Sequence, residues 1–561
     1  MRKSLTFAAV AVALIASAAI SLATGAAPTH KWKFSPTINA PWALENDERP
    51  LDTPLLAAGL CRSAPFNTVG AYGPLGSNVD AIVGDATNNS GFSNFGCTTP
   101  QNETTIAVNP TNANNLIAGA NDYRVCCDFT GLNDGTGWAY YSFDGGLTWG
   151  NVQLPGLTAE TGGAGVFKKF DSAGDPVVTF SPDGVAYYAN IVFSRIGPST
   201  GVVVSVSQDG GKTWSRPNLV AYVDAANFFY DKEWIGAGPN GTVVVTWTKF
   251  YQGPRGATYL ASPIVGAISK NYGKSWNQQG FPVSDAAHPY NQGSQVQFDA
   301  SGNLYVAYEG ASPNTGYSTD ATVLARSTDN GASFETVELG RVYDDFDCYP
   351  FYAGRQTLSD MHFRLNSYPS MSIDQSNGNI AIVWTDDQGA GNCGTGAGAF
   401  VGTTANQVKI VSGTWPAITS AAVVAVTSTA PDKVFPAVAA ANGKTAVTYY
   451  TRDYAIGSAA LVCHQVTNPV PSGISPVFST NSVCMDYAAK SSSDGFSAQA
   501  RLSTESSNPY IQFADGAFIG DYSQVAIAPN GAMAWGAWTD FRGHPGLTPA
   551  NQDVMVQSFG P

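Results

Sequence analysis

Charge is scarce in this sequence. Asp, Glu, Lys and Arg together make up 12% of the 561 residues, about half the share of an ordinary soluble domain. Acidic residues outnumber basic ones, 42 to 28, for a formal net charge of −14. That balance excludes nucleic acid and anionic membrane surfaces as partners, because their phosphates repel an acidic chain. Histidine is scarcer still. His30, His288, His362, His464 and His544 stand apart, so no His-Glu-x-x-His zinc helix exists. The eight cysteines include no Cys-x-x-Cys pair, which argues against a zinc ribbon or a redox dithiol. Long apolar runs are missing too, with one exception at the N-terminus.

What the chain does have is a repeated phrase. It reads Ser142-Phe-Asp144-Gly-Gly146-Leu-Thr148-Trp149, then Ser207-Gln-Asp209-Gly-Gly211-Lys-Thr213-Trp214. Looser copies follow at Ser269-Lys-Asn271-Tyr-Gly273-Lys-Ser275-Trp276 and Ser327-Thr-Asp329-Asn-Gly331-Ala-Ser333-Phe334. The steps between copies are 65, 62 and 58 residues, a period that signals stacked supersecondary units. Each copy follows a strand-like run. The Asp or Asn can accept hydrogen bonds from turn N–H groups, and the Gly can take positive φ. The Ser or Thr hydroxyl ties the turn again, and the aromatic ring covers it. The phrase therefore predicts a stapled hairpin. It resembles the Asp box of sialidase-like β-propellers (the bacterial neuraminidase repeat), in which Asp144, Asp209, Asn271 and Asp329 would be structural rather than catalytic.

A second pattern precedes each box and outlasts the last one: strand, tight turn, strand. Seven copies are read, at Thr104–Arg124, Asp175–Arg195, Asp231–Phe250, Gly293–Glu309, Tyr368–Asp387, Phe435–Asp453 and Gly520–Arg542. Their turns carry hairpin chemistry such as Pro182-Asp-Gly184, Asn377-Gly-Asn379 and Pro529-Asn-Gly531. With the box hairpins this predicts an all-β propeller of four-stranded antiparallel blades, seven favoured over six, with boxes in blades 1–4. The last unit stops after a third strand at Asp553–Phe559, so Val79–Val83 is expected to supply the fourth and close the ring. Units five and six lack a box. The insertion from Tyr343 to Asn366 is long enough to suggest a functional loop.

Residues 1–27 read as a secretory signal, with Arg2 and Lys3 before an apolar run from Leu5 to about Ala23,. An uncleaved anchor is the alternative. Residues 28–99 read as an extension that wraps or closes the propeller of 100–561. The chain is expected to be secreted or held extracellularly, monomeric, and free of membrane once mature. In an exported chain an even cysteine count suggests disulfides, whose connectivity sequence does not fix. Placement favours Cys463 with Cys484 and Cys348 with Cys393, leaving Cys61 and Cys97 to pair with Cys126 and Cys127.

Two residue sets fall on the face opposite the boxes. Arg124, Arg195, Arg452 and Arg542 end second strands, and arginine suits bidentate grip of a carboxylate or sulfate. Each can instead brace its own turn through Asp122, Asp453 or Asp540. The second set is acidic and opens first strands: Glu103, Asp175, Asp231-Lys232-Glu233 and Asp521, with Tyr230 and Tyr522 alongside. Such carboxylates can supply an acid/base pair for glycoside cleavage or hold structural Ca²⁺, as can Asp344, Asp345 and Asp347. No cofactor is required. Sialidases use three arginines, a Tyr–Glu pair and an Asp acid/base. Arg195-Ile-Gly-Pro198 partly echoes their Arg-Ile-Pro motif but follows the first box, and sialidases usually have six blades. The resemblance implies an exported propeller that binds or hydrolyses glycans, acidic sugars among them. A non-catalytic binding module and a polysaccharide lyase are the alternatives.

Overall fold

The computed structural model describes residues 78–83, 100–125, 134–253, 259–277, 280–343, 349, 351–352, 355–359, 361–387, 404–454, 484–507, 509, 518–542 and 552–561. They form seven four-stranded antiparallel blades around one axis, a β-propeller. Blade 1 runs through strands A to D, Gln101–Asn109, Asn112–Val125, Asp134–Ser142 and Gly150–Gln153, from the axis outward. The strands A of blades 2 to 7 are Ser172–Phe180, Phe228–Ala237, Asn291–Phe298, Ser370–Ile373, Lys433–Ala441 and Gln524–Ile527. Blade 7 closes as expected: Val79–Asp80 pairs with Asp553–Phe559, with Val79 opposite Val556. Blade 3 carries one extra short strand, Tyr259–Ala261, on its strand B. No helix among the described residues is long and apolar enough to cross a membrane.

The inner strands expose an edge to the axis, and unpaired edge N–H groups are costly when buried. Side chains of the neighbouring inner strand satisfy them. Gln524 Oε1 accepts from Ile106 N at 2.9 Å, and Thr105 Oγ1 accepts from Val178 N at 3.0 Å. Gln295 and Gln297 serve Met371 and Ile373, and Ser370 and Ser372 serve Val438 and Ala440. Apolar side chains fill the wedges between blades, as with Val177, Tyr187, Ile235, Val245 and Val296 across blades 2 to 4.

The repeated turns fold as their chemistry predicts. In the first, Asp144 Oδ1 accepts from Thr148 N at 2.9 Å and Oδ2 from Thr148 Oγ1 at 2.6 Å. Ser142 Oγ accepts from Gly146 N, and Trp149 Nε1 donates to Gly146 O. Asp209 and Asp329 repeat this arrangement, and Asn271 does so with its Nδ2 donating to Ser275 Oγ. The hydroxyl of Ser333 and the backbone N–H of the same residue pull the Asp329 carboxyl down to about 2. Blades 5 and 6 replace the turn with short 3-10 segments, Ala417–Ser420 and Ser492–Asp494. In the latter, Asp494 still accepts from Ser497 N and Ala498 N. This is the same staple with shifted spacing, which is why the repeat search passes over it.

A third device is invisible in the repeats. Near the start of strand A, blades 1, 2, 3, 4 and 6 each carry a β-bulge, where two residues oppose one. Its first residue has positive φ: Glu103 at 56°, Asp175 at 53°, Lys232 at 50°, Gly293 at 67° and Phe435 at 49°. Side chains at positive φ cost about 1–3 kcal/mol and persist where the surroundings over-determine them. Three of these bulge residues meet at one point on the axis.

Candidate functional site

That point is Lys232. Its Nζ lies 2.8 Å from both Asp175 Oδ2 and Asp521 Oδ2, 3.2 Å from Glu103 Oε1 and 3.9 Å from Asp231 Oδ1. The four carboxylates come from blades 1, 2, 3 and 7. Asp521 lies ahead of strand A in blade 7, which begins only at Gln524, rather than opening that strand as the sequence suggested. Gly520, at φ 93°, permits the approach: a Cβ there would stand 2.7 Å from Glu103 N. Asp521 N then donates to Glu103 Oε1.

The long connection between blades 4 and 5 supplies the second cation. Arg364 Nε donates to Asp521 Oδ1 at 2.9 Å and Nη2 to Oδ2 at 2.6 Å, while Asn366 Nδ2 donates to Asp521 O. The guanidinium lies 4.4 Å over the Phe518 ring. On the far side, Gln292 Nε2 donates to Asp231 Oδ2. Among the described residues, two cations, Lys232 and Arg364, therefore face five buried carboxyls: Glu103, Asp175, Asp231, Glu233 and Asp521.

These surroundings separate the acids. Burial, reinforced by Asp175, pushes the Glu233 carboxyl well above the usual carboxylate range,. Burial also works against Asp521, but Arg364 and Lys232 outweigh it and hold that carboxyl far below its ordinary value. Burial likewise opposes the Lys232 ammonium, and Asp175, Asp521, Glu103 and Asp231 outweigh it in turn. Burial, then Glu103 and Asp175, hold the Tyr522 phenol protonated.

Glu233 is 1% exposed, and neither carboxyl oxygen has a hydrogen-bond partner among the described residues. The residue borders a pocket of about 30 Å³ walled by Trp234, Tyr368, Phe435, Asp521 and Tyr522. Gly293 leaves room for one wall, since a Cβ there would stand 2.3 Å from the Tyr368 ring. Trp234 and Tyr522 meet edge to face at 5.9 Å. Trp234, Gln295 and Ser370 also line a larger axial cavity of about 610 Å³. That cavity runs to the exposed A–B turns at Pro110, Pro182, Pro239 and Pro529, on the box face. The axis thus has a charged, filled end and an open, largely apolar end.

Of the residues singled out in the sequence, Asp231, Glu233, Asp521 and Tyr522 are brought together. Tyr230 is not: its ring packs against Trp247 at 5.8 Å in the core between blades, and burial raises the phenol to about 12. The four rim arginines hold carboxylates of their own away from Lys232. Arg124 forks onto Asp122 and donates to Val83 O. Arg542 forks onto Asp540 and donates to Asn78 Oδ1. These two therefore clamp the segment that closes the ring. Arg195 forks onto Asp134 of the neighbouring blade. Arg452 pairs with Asp432 rather than with adjacent Asp453, which Lys433 takes. Gly197-Pro-Ser-Thr-Gly201, a nucleophile-elbow string by its letters, leads from the turn after the second strand of blade 2, Ala186–Phe193, into the third, Ser199–Ser207, so a strand and not a helix follows it,.

Sequence reasoning missed Lys232 as the hub and Arg364 altogether; the insertion's length was the one available signal for the latter. Among the described residues, no group of three His, Cys, Asp or Glu side chains is placed to hold a metal ion. Asp344, Asp345 and Asp347 lie outside the described residues. So do Cys61, Cys97, Cys126, Cys127, Cys348, Cys393 and Cys463, whereas Cys484 is buried and has no free thiol.

No family model matches the sequence. No curated protein matches it either. Among solved structures, the chain is similar to an alpha-L-arabinanase of Penicillium chrysogenum complexed with arabinobiose, at 12% identity over 82% of this chain and 93% of that one, TM-score 0.40. It is also similar to an alpha-L-arabinofuranosidase of Fusarium graminearum, at 11% identity over 86% and 98%, TM-score 0.41. A sialidase of Trypanosoma rangeli aligns at 11% identity over 68% of this chain and 53% of that one, TM-score 0.35. These identities are too low to carry residue roles from one chain to another.

Proposed function

We propose that this protein is an exported propeller that binds and hydrolyses glycans at its axial cluster. The observation that carries the reading is the split between two carboxyls that border one pocket. Burial drives Glu233 up toward its protonated form, whereas Arg364 and Lys232 drive Asp521 down toward its ionised form. Paired acids pushed apart in this way are the signature of acid/base work on a glycosidic bond. Glu233 would protonate the leaving oxygen, and ionised Asp521 would stabilise the positive charge that develops on the sugar. Trp234 lines both the small pocket and the larger cavity and supplies an aromatic surface for a sugar there. An arginine grip on an acidic sugar is not part of the proposal, because the rim arginines hold Asp122, Asp134, Asp432 and Asp540.

The test is a glycan-binding and hydrolysis screen of the intact protein beside Glu233→Gln and Asp521→Asn. Hydrolysis is expected to fall by about a hundredfold or more in Glu233→Gln, the usual size of a general-acid contribution. Unchanged turnover in both variants rejects the site. One observation favours a second reading, a non-catalytic binding module: Glu103, Asp175, Asp231, Glu233 and Asp521 are each 5% exposed or less. Glycan binding without any product, lost in the same variants, selects it.

A further inference from the structure

We propose that Asn240 is a self-modifying position: of the Asn-Gly pairs in this sequence, it is the one that readily loses its side-chain amide in the folded protein, leaving a carboxylate beside the mouth of the axial cavity. The inference goes beyond the glycan reading and does not depend on it. Five such pairs occur, Asn240-Gly241, Asn330-Gly331, Asn377-Gly378, Asn442-Gly443 and Asn530-Gly531. Asn330 lies in the fourth box turn, and the other four lie in A–B turns. All five asparagines are exposed, so exposure does not separate them. Hydrogen bonding does.

The reaction is internal to the chain. The Gly nitrogen gives up its proton to hydroxide and attacks Cγ of the preceding Asn. An N–Cγ bond forms, the Cγ–Nδ2 bond breaks, and the amide leaves as ammonia. Water then opens the cyclic imide at either carbonyl, giving aspartate or isoaspartate. The sum is asparagine plus water going to acid plus ammonia, with water the only co-reactant. Glycine is the least hindered attacker because it has no Cβ. Its nitrogen must be free of a hydrogen bond, and the Asn side chain must be free to swing onto it.

Four of the pairs fail the first condition. Gly331 N donates to Ser327 Oγ at 2.9 Å, Gly378 N to Asp374 O at 2.8 Å, Gly443 N to Asp374 Oδ2 at 2.6 Å and Gly531 N to Ala528 O at 2.8 Å. Three of these fail the second as well. Asn377 Nδ2 donates to Asp374 Oδ2, Asn442 Nδ2 donates to Asn530 O, and Asn530 Oδ1 accepts from Ala532 N. The turn at Asn240 is fastened by other atoms. Thr242 N donates to Pro239 O at 3.1 Å, and Tyr272 N donates to Gly241 O at 2.9 Å. Neither bond uses the Gly241 N–H or the Asn240 amide, and both groups are without a hydrogen-bond partner among the described residues. Gly238 and Pro239 of the same hairpin line the axial cavity. The charged residues of that lining, Asp299 and Asp374, are tied into their own turns. A carboxylate at position 240 therefore changes the charge at the cavity mouth.

The experiment is timed incubation of the full chain at mildly acid and mildly alkaline pH, read by peptide mapping for the mass gain of amide to acid. Freeing a nitrogen from one hydrogen bond is worth up to about tenfold in rate, so Asn240 is expected to convert about tenfold faster than any other pair. Its rate should rise with pH, because hydroxide takes the Gly241 proton. In urea the hydrogen bonds are gone, and the five rates should converge. Asp374→Ala, which frees the Gly443 nitrogen, should raise the Asn442 rate toward that of Asn240. Equal rates across the five pairs in the folded chain overturn the inference, as does an order that persists in urea or an Asn442 rate that Asp374→Ala leaves unchanged. The first two readings come from the wild-type chain, so the result does not depend on how the variant folds.

Discussion

The rim and the axis of this propeller both bury charge, and they do so in opposite ways. At the rim, among the described residues, each arginine pairs with one carboxylate: Arg124 with Asp122, Arg195 with Asp134, Arg452 with Asp432, Arg542 with Asp540. Charges match, geometry is mostly forked, and the spare N–H groups fasten neighbouring segments. At the axis, among the described residues, five carboxyls face two cations, burial pushes Glu233 well above the usual carboxylate range, and its oxygens stand without hydrogen-bond partners. Matched burial needs nothing further from a ligand. Mismatched burial stores a demand for one, because unpaired polar groups in low dielectric are expensive. The comparison moves the search for function away from the arginines, which the sequence made conspicuous, and onto the carboxyls around Lys232.

The sharpest test of that contrast removes its hub. Lys232→Met leaves Glu103 and Asp175 without their shared ammonium, and should destabilise the fold by about 3–5 kcal/mol near neutral pH. The Lys232 pKa is raised in the folded state, so its contribution is complete at all pH values below the ordinary lysine range and is lost only on passing through the raised value. Any pH dependence of the variant between mild acid and neutrality therefore comes from the carboxylates. Their protonation should shrink the defect as pH falls, which urea unfolding at two pH values measures. A defect that stays constant contradicts the cluster as described.

At the rim, Arg124→Met should cost somewhat less, about 3 kcal/mol, by stranding Asp122. Adding Asp122→Leu should restore most of the loss, with glycan binding unaffected in both proteins. If Arg124→Met alters binding while leaving the unfolding midpoint unchanged, the division between rim and axis collapses. The smallest effect belongs to Glu233→Gln and appears only with pH. The Glu233 pKa is raised on folding, so its contribution is complete below the ordinary glutamate range, about 4.3, and is lost as pH climbs from there toward the raised value. The variant escapes that loss. Its stability relative to wild type should therefore improve steadily as pH rises, as followed by thermal unfolding across a pH series. A flat difference means that Glu233 is ionised in the folded protein.

Much of the architecture was legible because its causes are local. A Ser-x-Asp-x-Gly-x-Thr-Trp string carries its own staple, so Asp144 and Asp209 announce hairpins wherever they fall. Asn442-Gly443 and Pro529-Asn-Gly531 likewise fix turns without outside help. Val79 could be assigned to blade 7 because a ring with a missing strand leaves an edge to cover. The staple at Asp494 was harder to see, since its Ser and Asp sit at altered spacing.

The sequence by itself determined the box turns, favoured seven blades over six and pointed to a candidate strand for closure, all of which rest on neighbours in the chain or on a period. Only the tertiary structure decided which charges meet. Glu103 and Asp521 are 418 residues apart and share one ammonium. Arg364 reaches that cluster from an insertion that has no counterpart in the repeat. Closing seven blades into a ring carries the bulged starts of the inner strands to a common axis. No local pattern encodes that convergence, since each bulge, read alone, is an ordinary irregularity at the head of a strand.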